Sequence, residues 1–298
     1  MGAGPARVLV TGLNGFTGLH LEASLRANGY EVHGTVREGE ATDDRRHVAE
    51  LTDPAALRDL ISKVQPTHVV HLAAISFVAH GDIDDMYRTN VVGTSHLLRA
   101  LADAGGPSLR TVLLASSANV YGNTEVDPID ESQPFRPAND YAVSKVAMEY
   151  MASLWSDRLP LTIVRPFNYT GAGQSKQFLI PKIVDAYARR APFLELGNID
   201  VERDFSDVRD VVGAYCALLD KPPQGVLNVC SGVACSLRRV LAMAEEISGH
   251  SLEVRVNPAF VRANEVHRLR GSAARLEARL GAWSPRPLRD TLGWMLEV

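Results

Sequence analysis

The sequence is poor in cysteine and in aromatic residues. Of 298 residues, 3 are cysteine and 6% are aromatic. Cys216, Cys230 and Cys235 are odd in number and form no C-x-x-C pair, which excludes a disulfide-rich scaffold and a zinc-ribbon type of site. We expect three reduced thiols that pack as small buried hydrophobic groups in a cytoplasmic protein, and we expect no metal site.

Long hydrophobic runs and an excess of one charge are also missing. The longest apolar stretch, near 69–79, carries His71 and Ser76 and is too short to cross a bilayer. The opening residues lead directly into the strand-like Val8-Leu9-Val10, so no secretory leader is predicted. The 31 basic and 35 acidic residues give a net charge of -4, so no overall field favours nucleic acid or an anionic membrane as partner. Any anion must be bound by a local site.

Short β-branched runs alternate with longer stretches of helical period, which is typical of βαβ units in a parallel sheet. We predict strands near Arg7–Thr11, Glu31–Val36, Val48–Leu51, His68–Leu72, Thr111–Ser116, Leu161–Arg165 and Val226–Val229. We predict helices over Thr17–Asn28, Ala55–Val64, Asp84–Ala104, Tyr141–Asp157, Asp207–Leu219 and Leu237–Ser248, and a loop over Arg37–His47. The predicted fold class is α/β, a Rossmann-type doubly wound parallel sheet with a smaller mixed C-terminal substrate-binding lobe. Residues 1–167, with 207–232 returning to the sheet, form the predicted dinucleotide-binding domain, and 168–206 with 233–298 form the lobe.

A glycine-rich turn follows the first predicted strand and opens the first predicted helix. Gly12 allows the tight turn, Gly15 lets the backbone approach a pyrophosphate, and Gly18 lets the helix lie close to the strand. The N–H groups at the helix start then bind the phosphates. At the end of the second strand Arg37 precedes Glu38; an arginine suits a 2′-phosphate and a carboxylate suits a ribose hydroxyl. The order favours NADPH, with NADH as the alternative.

Tyr141 and Lys145 lie four residues apart, which places a phenol and an ammonium on one face of a helix. Ser116 and Ser117 end a buried-type strand shortly before Tyr121-Gly122. Together with the glycine turn, these motifs resemble those of the extended short-chain dehydrogenase/reductase family, T-G-x-x-G-F-x-G, S-S-x-x-V-Y-G and Y-x-x-x-K.

The resemblance implies roles for these residues. Tyr141 is the general acid toward a ketone oxygen, Lys145 tunes it and holds the nicotinamide ribose, and Ser117 donates a second hydrogen bond to that oxygen. A tyrosine with an ordinary pKa near 10 needs such a neighbour to act near neutrality. The implied cofactor-binding residues are Gly12, Asn14, Gly15, Phe16, Gly18, Thr35, Arg37, Leu72, Ala73, Ala74, Asn90, Tyr141 and Lys145. The family also implies a homodimer formed through the helices predicted over Asp84–Ala104 and Tyr141–Asp157.

Segments of the second half narrow the substrate. The segments 165–175, 201–210, 228–232 and 270–276 look like those of GDP-6-deoxy-D-mannose reductases and, more distantly, GDP-mannose 4,6-dehydratases. The resemblance implies that Ser117, Asn168, Arg203, Arg262 and Glu265 contact a GDP-sugar.

One position separates reduction from dehydration. Related dehydratases carry a glutamate two residues after the catalytic hydroxyl, and here that residue is Asn119, whose amide cannot act as a base. We therefore expect an NADPH-dependent 4-ketoreductase that converts GDP-4-keto-6-deoxy-D-mannose to GDP-6-deoxy-D-mannose (GDP-D-rhamnose). The alternatives are a GDP-mannose 4,6-dehydratase, an epimerase, a ketoreductase that forms GDP-6-deoxy-D-talose and, in a different class, a non-catalytic dinucleotide sensor.

Overall fold

The computed structural model describes residues 6–76, 82–222, 225–260 and 267–297. Its strands, in chain order, are β1 (Arg7–Thr11), β2 (Glu31–Val36), β3 (Arg46–Val48), β4 (His68–His71), β5 (Thr111–Ala115), β6 (Leu161–Pro166), β7 (Asn168–Thr170), β8 (Phe193–Leu196), β9 (Glu202–Asp207), β10 (Gly225–Val229), β11 (Ala234–Ser236), β12 (Glu253–Val256) and β13 (Arg268–Leu269). The helices are α1 (Phe16–Ala27), α2 (Pro54–Val64), α3 (Ile83–Tyr87), α4 (Thr94–Ala104), α5 (Asp140–Ser153), α6 (Leu179–Ala188), α7 (Val208–Asp220), α8 (Leu237–Ser248), α9 (Ala274–Leu280) and α10 (Leu288–Glu297).

The large sheet has the strand order β10-β6-β5-β4-β1-β2-β3. All neighbouring pairs from β6 to β3 run parallel, so the predicted parallel sheet is confirmed. The chain order reverses between β1 and β4, and ligands of open α/β sheets bind at the carboxyl ends of the strands beside such a reversal. The glycine turn follows β1 at this point.

The described chain divides into two compact units. The first unit comprises Met1–Val120, Pro137–Arg165 and Val212–Leu227, and the second comprises Tyr121–Arg136, Pro166–Val211 and Asn228–Val298. The sequence prediction drew its first boundary at 167/168 and left 121–136 with the dinucleotide-binding domain, whereas the contacts place that segment in the second unit. One reason is that Ile129 bridges to Gly271, a pairing that no local pattern announces.

Each unit has its own hydrophobic core. In the first unit, side chains from α2, α4 and α5 pack with those of β1, β4 and β5, among them Leu60, Leu97 and Met148. In the second unit, α6, α8 and α10 supply Ile183, Val240 and Leu292. In the described part of the chain, no helix combines the length and the apolar character that a membrane crossing needs.

Two predicted elements of the first unit were wrong. The run Val48–Leu51 was predicted to be a strand, but β3 ends at Val48, and Ala49 and Leu51 are buried core residues outside any strand. The apolar residues of this run are therefore a sign of burial in the core and not of pairing in a β-sheet.

The helix predicted over Asp84–Ala104 is interrupted by a π-helical turn over Arg88–Gly93. The turn carries Asn90, whose side chain bonds the backbone of Ile75 at both its N–H and its carbonyl. Such turns insert a residue and occur often at functional sites. A periodic apolar pattern does not reveal one inserted residue.

Candidate active site

The glycine turn is shaped by close backbone contacts. Gly12 has φ +74°, and its N–H donates to the Thr35 hydroxyl at 3.1 Å. A Cβ on Gly18 would lie 2.3 Å from the carbonyl oxygen of Leu13, so only glycine lets α1 start this close to the turn. The first turn of α1 contains no acidic side chain. A helix start of this kind fits the phosphates of a dinucleotide.

The segment after β4 lies against this turn. The Leu72 N–H donates to the carbonyl of Thr11 at 3.2 Å, and the Ala73 N–H donates to the Thr11 hydroxyl, also at 3.2 Å. A Cβ on Gly12 would lie 3.0 Å from the Cα of Ala73. The structure thus brings together the glycine turn and the predicted cofactor residues Leu72 and Ala73, with Ala74 next in the chain.

The end of β2 carries the residues predicted to choose the cofactor. Thr35 is buried, whereas Arg37 and Glu38 are exposed. The carboxylate of Glu40 accepts a hydrogen bond from the Asn14 side chain at 2.8 Å and another from the Arg37 N–H at 3.1 Å. Sequence reasoning missed Glu40, because it lies inside a polar loop where one carboxylate looks like another.

The three predicted catalytic residues all lie in the first unit and are buried. Ser117 follows β5, and α5 presents Tyr141 and Lys145 one turn apart; their exposed fractions are 8%, 8% and 5%. The Asn139 side chain caps α5 by accepting from the Ala142 N–H at 2.9 Å, which fixes where the helix starts.

Lys145 links α5 to the end of β5. Its Nζ donates to the carbonyl of Ala115 at 2.8 Å and lies 5.9 Å from the centroid of the Tyr141 ring. Burial lowers the pKa of Lys145 from 10.5 to about 8, and the nearby Glu149 carboxylate opposes this decrease. The ammonium is therefore still the main form at pH 7, next to the phenol.

A buried ion pair lies one helical turn beyond Lys145. Glu149 accepts from Arg165 at 2.6 Å and from the Ser116 hydroxyl, and both charged side chains are 5% exposed. Hydrogen bonds from Nε and Nη2 of Arg165 and from the Ser116 hydroxyl satisfy this carboxylate, which is shielded from water. The Ser116 hydroxyl therefore already donates its proton to Glu149. Sequence reasoning missed the ion pair, because Glu149 and Arg165 come from two separate elements, α5 and β6.

A second buried network starts at the strand before the glycine turn. The Thr11 hydroxyl lies 2.7 Å from Nδ1 of His71, and Nε2 of His71 lies 2.9 Å from the Thr94 hydroxyl. Thr94 in turn donates to the carbonyl of Asn90 at 2.8 Å. Because the one proton of the Thr94 hydroxyl goes to Asn90, Nε2 of His71 must carry the proton of the ring. Burial, followed by the charge of Lys145, lowers the pKa of His71 to about 3, so the ring is neutral near pH 7.

The network continues from Asn90 to α5. The Asn90 amide donates to the Ser144 hydroxyl at 3.0 Å, and Ser144 donates to the carbonyl of Tyr141 at 2.7 Å. The resemblance assigned Asn90 to cofactor binding, and the structure places its side chain between the segment after β4 and α5. Its observed contacts join these two parts of the site.

Of the predicted substrate residues that the structure describes, Ser117 lies in the first unit, and Asn168 and Arg203 lie in the second. Asn168 is exposed on β7 and pairs in register with Phe205 of β9. Arg203, two residues before Phe205, projects from the same face of β9, and its guanidinium donates to the carbonyls of Glu202 and His267 at 2.9 and 3.2 Å. Arg262 and Glu265 lie outside the described residues.

Asp204 is a buried carboxylate of this unit that sequence reasoning missed. It accepts from the N–H and the hydroxyl of Ser231 at 2.8 and 2.6 Å and from the Gly232 N–H at 2.8 Å. Burial raises its pKa, although these hydrogen bonds act in the opposite direction. Asp204 therefore holds the loop after β10 against the strand that carries Arg203. Across the described ranges, no three His, Cys, Asp or Glu side chains are grouped as a metal site requires.

Comparison with known proteins gives family matches over nearly the whole chain. The family model for GDP-mannose 4,6 dehydratase matches residues 9–292. GDP-6-deoxy-D-mannose reductase of Pseudomonas aeruginosa is 38% identical over 304 residues, covering 98% of this chain and 92% of the relative. GDP-6-deoxy-D-talose 4-dehydrogenase of Aggregatibacter actinomycetemcomitans is 34% identical over 277 residues, covering 92% and 91%.

Solved structures agree with this assignment. A Burkholderia cenocepacia protein assigned only provisionally as an epimerase superposes with a TM-score of 0.93 at 47% identity, over 99% of this chain and 98% of its own. RMD from Pseudomonas aeruginosa, complexed with NADPH, superposes with a TM-score of 0.86 at 36% identity, over 98% of each chain. The chain therefore belongs to the GDP-mannose 4,6-dehydratase family of extended short-chain dehydrogenases/reductases.

Proposed function

We propose that this protein is an NADPH-dependent 4-ketoreductase that converts GDP-4-keto-6-deoxy-D-mannose to GDP-6-deoxy-D-mannose. The observation that carries the proposal is the buried set of Ser117, Tyr141 and Lys145 together with an amide, Asn119, where a dehydratase has its glutamate. The reductase of Pseudomonas aeruginosa, 38% identical over 98% of this chain, supports it.

Each residue of the set has a role that follows from its chemistry. Tyr141 gives its phenolic proton to the C4 oxygen, and Ser117 donates a hydrogen bond to the same oxygen. The Lys145 ammonium, fixed on the carbonyl of Ala115, stabilises the phenolate that remains. Engagement of the Ser116 hydroxyl by Glu149 supports Ser117 as the second donor. The bound reduced dinucleotide supplies the hydride that C4 receives, and the ketone becomes an alcohol.

The first unit carries residues that are suited to binding a dinucleotide. Gly12, Gly15 and Gly18 shape the phosphate turn, and the segment 72–74 lies beside it. The Arg37 guanidinium at the end of β2 favours a 2′-phosphate, in accordance with the NADPH complex of RMD. Replacement of Arg37 by alanine should weaken NADPH binding and leave NADH binding unchanged, as measured by equilibrium titration.

For the GDP-sugar we assign the second unit. Asn168 and Arg203, on one face of the small sheet, are proposed to contact sugar and diphosphate, and Arg262 with Glu265 the nucleotide ribose. Arginine is suited to a diphosphate because its planar fork of N–H groups matches two phosphate oxygens.

Reduction and dehydration are distinguished by substrate. Enzymatically prepared GDP-4-keto-6-deoxy-D-mannose with NADPH should give stoichiometric NADPH oxidation, and NMR of the product should show the manno configuration at C4. GDP-mannose alone should remain unchanged. Accumulation of the 4-keto sugar from GDP-mannose would overturn the proposal, because Asn119 has no basic oxygen for the C5 proton.

A second product is favoured by one observation. The 34% identical relative is a GDP-6-deoxy-D-talose 4-dehydrogenase, and the talo and manno products differ only in the face of C4 that receives the hydride. The same NMR experiment separates them, since the C4 proton is axial in one product and equatorial in the other.

A matched pair of tyrosine variants tests whether the chain is a catalyst. Tyr141→Phe should lose at least about 100-fold in kcat, the usual loss for a removed general acid, while NADPH still binds. Tyr150→Phe, at a position 63% exposed on the same helix, should retain full activity. Equal turnover of Tyr141→Phe and the parent protein would remove Tyr141 from the mechanism.

We also propose a cytoplasmic homodimer. Helices α4 and α5 belong to the first unit. The π turn before α4 exposes Val92, α5 exposes Tyr150, and Leu154, the residue after α5, is 81% exposed. Leu154→Glu should reduce the mass measured by light scattering to that of a monomer, whereas Leu19→Glu, at an exposed leucine of α1, should not. The free thiols of the three cysteines accord with a reducing compartment.

A further inference from the structure

Two hydrogen-bond donors converge on one oxygen at the end of β2. Oε2 of Glu40 accepts from Nδ2 of Asn14 at 2.8 Å and from the backbone N–H of Arg37 at 3.1 Å. A single anionic oxygen held by an amide and a backbone N–H is the arrangement that proteins use to bind an oxyanion. Here the anion comes from the chain itself.

The contacts of Glu40 lie where a dinucleotide-binding sheet receives the adenosine ribose. Asn14 belongs to the glycine turn, and Arg37 is the first residue after β2. In doubly wound dinucleotide-binding sheets, this strand end meets the adenosine ribose, where a carboxylate accepts from a 2′-hydroxyl or a cation meets a 2′-phosphate. Arg37 and Glu40 supply one group of each kind within four residues.

We propose that Glu40 is a specificity-determining residue whose carboxylate takes the two donors that a ribose 2′-phosphate would take. NADPH must displace this carboxylate before its phosphate reaches Asn14 and the Arg37 N–H, whereas NADH brings no phosphate to compete. Glu40 therefore reduces the preference for NADPH over NADH that Arg37 creates. This inference rests on the proposed use of NADPH.

The charge and the exposure of Glu40 indicate that its carboxylate competes with a 2′-phosphate for these donors. A phosphate monoester carries between one and two negative charges at pH 7, so it repels the carboxylate that shares its donors. Glu40 is exposed, and an exposed side chain loses little when it moves into water. Displacement therefore costs a modest amount, and we expect an effect on cofactor preference that is modest as well.

The test measures binding to the nucleotide-free protein and requires no turnover. Glu40→Gln keeps the size of the side chain and removes its charge, and Glu40→Ala removes both competing oxygens. By fluorescence or calorimetric titration at low salt, each variant should bind NADPH roughly 3- to 10-fold more tightly, with NADH affinity within about twofold of the parent protein. The gain should shrink at 1 M salt, where charges are screened within about 3 Å. Asp44→Asn removes one negative charge from the same exposed loop, at a residue with no predicted part in the choice of cofactor, and should change the ratio of the two affinities far less.

Each alternative result overturns the inference. An unchanged NADPH-to-NADH affinity ratio in both Glu40 variants would show that the carboxylate does not compete with the phosphate. Weaker NADH binding in the variants would show that Glu40 accepts from the ribose hydroxyl and selects NADH. A parent protein that binds NADH and not NADPH would overturn the proposed cofactor as well, so the two failures are distinguishable.

Discussion

Replacing Lys145 with methionine should make the protein more stable while it abolishes turnover. Lys145 is buried, and burial lowers its pKa from 10.5 to about 8. At pH 7 the folded protein therefore holds a charged group at a cost of about 3 kcal/mol relative to the unfolded chain. Methionine has a similar length and no charge. Loss of the hydrogen bond to the Ala115 carbonyl offsets about 1 kcal/mol, so a net gain of about 2 kcal/mol is expected.

The stability advantage of Lys145→Met is expected to decrease as pH rises. The folded-state pKa lies below the unfolded value, so between pH 8 and 10.5 the folded protein binds fewer protons and the cost disappears as pH rises. At pH 9.5 the cost has fallen to about 1 kcal/mol. The advantage of Lys145→Met over the parent protein should therefore decrease by about 2 kcal/mol between pH 7 and pH 9.5.

Urea unfolding followed by circular dichroism at both pH values measures this difference. Lys63→Met, at an exposed lysine of α2, is the control and should change the free energy of unfolding by no more than about 0.5 kcal/mol at either pH. A Lys145→Met variant that is less stable than the parent at pH 7, or whose advantage is the same at both pH values, would refute the reasoning.

Two further predictions concern other parts of the first unit. Glu149→Gln should lower the free energy of unfolding by about 3 kcal/mol, because it leaves the Arg165 guanidinium buried without its countercharge. The control Asp103→Asn, in an exposed ion pair, should lower it by less than about 1 kcal/mol in the same urea assay. Equal losses in the two variants would contradict the argument. Gly18→Ala should weaken NADPH binding at least about tenfold by titration, because its Cβ would lie 2.3 Å from the Leu13 carbonyl oxygen and must displace the phosphate turn; an unchanged affinity would show that the turn absorbs the methyl group.

Much of the fold of the first unit was predictable, because its signals are local. β1 and β2 begin and end at the predicted residues, since each is a short run of apolar or β-branched residues closed by a turn. The prediction of a strand over Val48–Leu51 was wrong because Ala49 and Leu51 are buried in the core without belonging to a strand. Alternation and periodicity report which residues are buried, and the type of element follows only where the run is bounded by clear turn signals.

The candidate site was predictable where a motif fixes several residues at short spacing. Tyr141 and Lys145 define a helix face, and the glycine triplet defines a turn, so both could be found without a structure. Glu149 and Arg165 could not, because each is an unremarkable charged residue until α5 and β6 bring them within 2.6 Å. Glu40 was missed for the same reason, since its contact with Asn14 crosses 26 residues of chain.

The buried network from Thr11 to Tyr141 keeps one arrangement of protons near neutral pH. Its hydrogen bonds have a fixed direction, because the Thr94 and Ser144 hydroxyls each give their one proton to a carbonyl, of Asn90 and Tyr141 respectively. Such a chain needs a neutral His71 with its proton on Nε2, and a pKa of about 3 keeps His71 in that state near pH 7. Lys145, which is also buried, has a pKa of about 8, closer to neutrality. The frame that positions α5 against the glycine turn is therefore insensitive to pH, and a pH effect on the charge beside Tyr141 is expected to arise at Lys145.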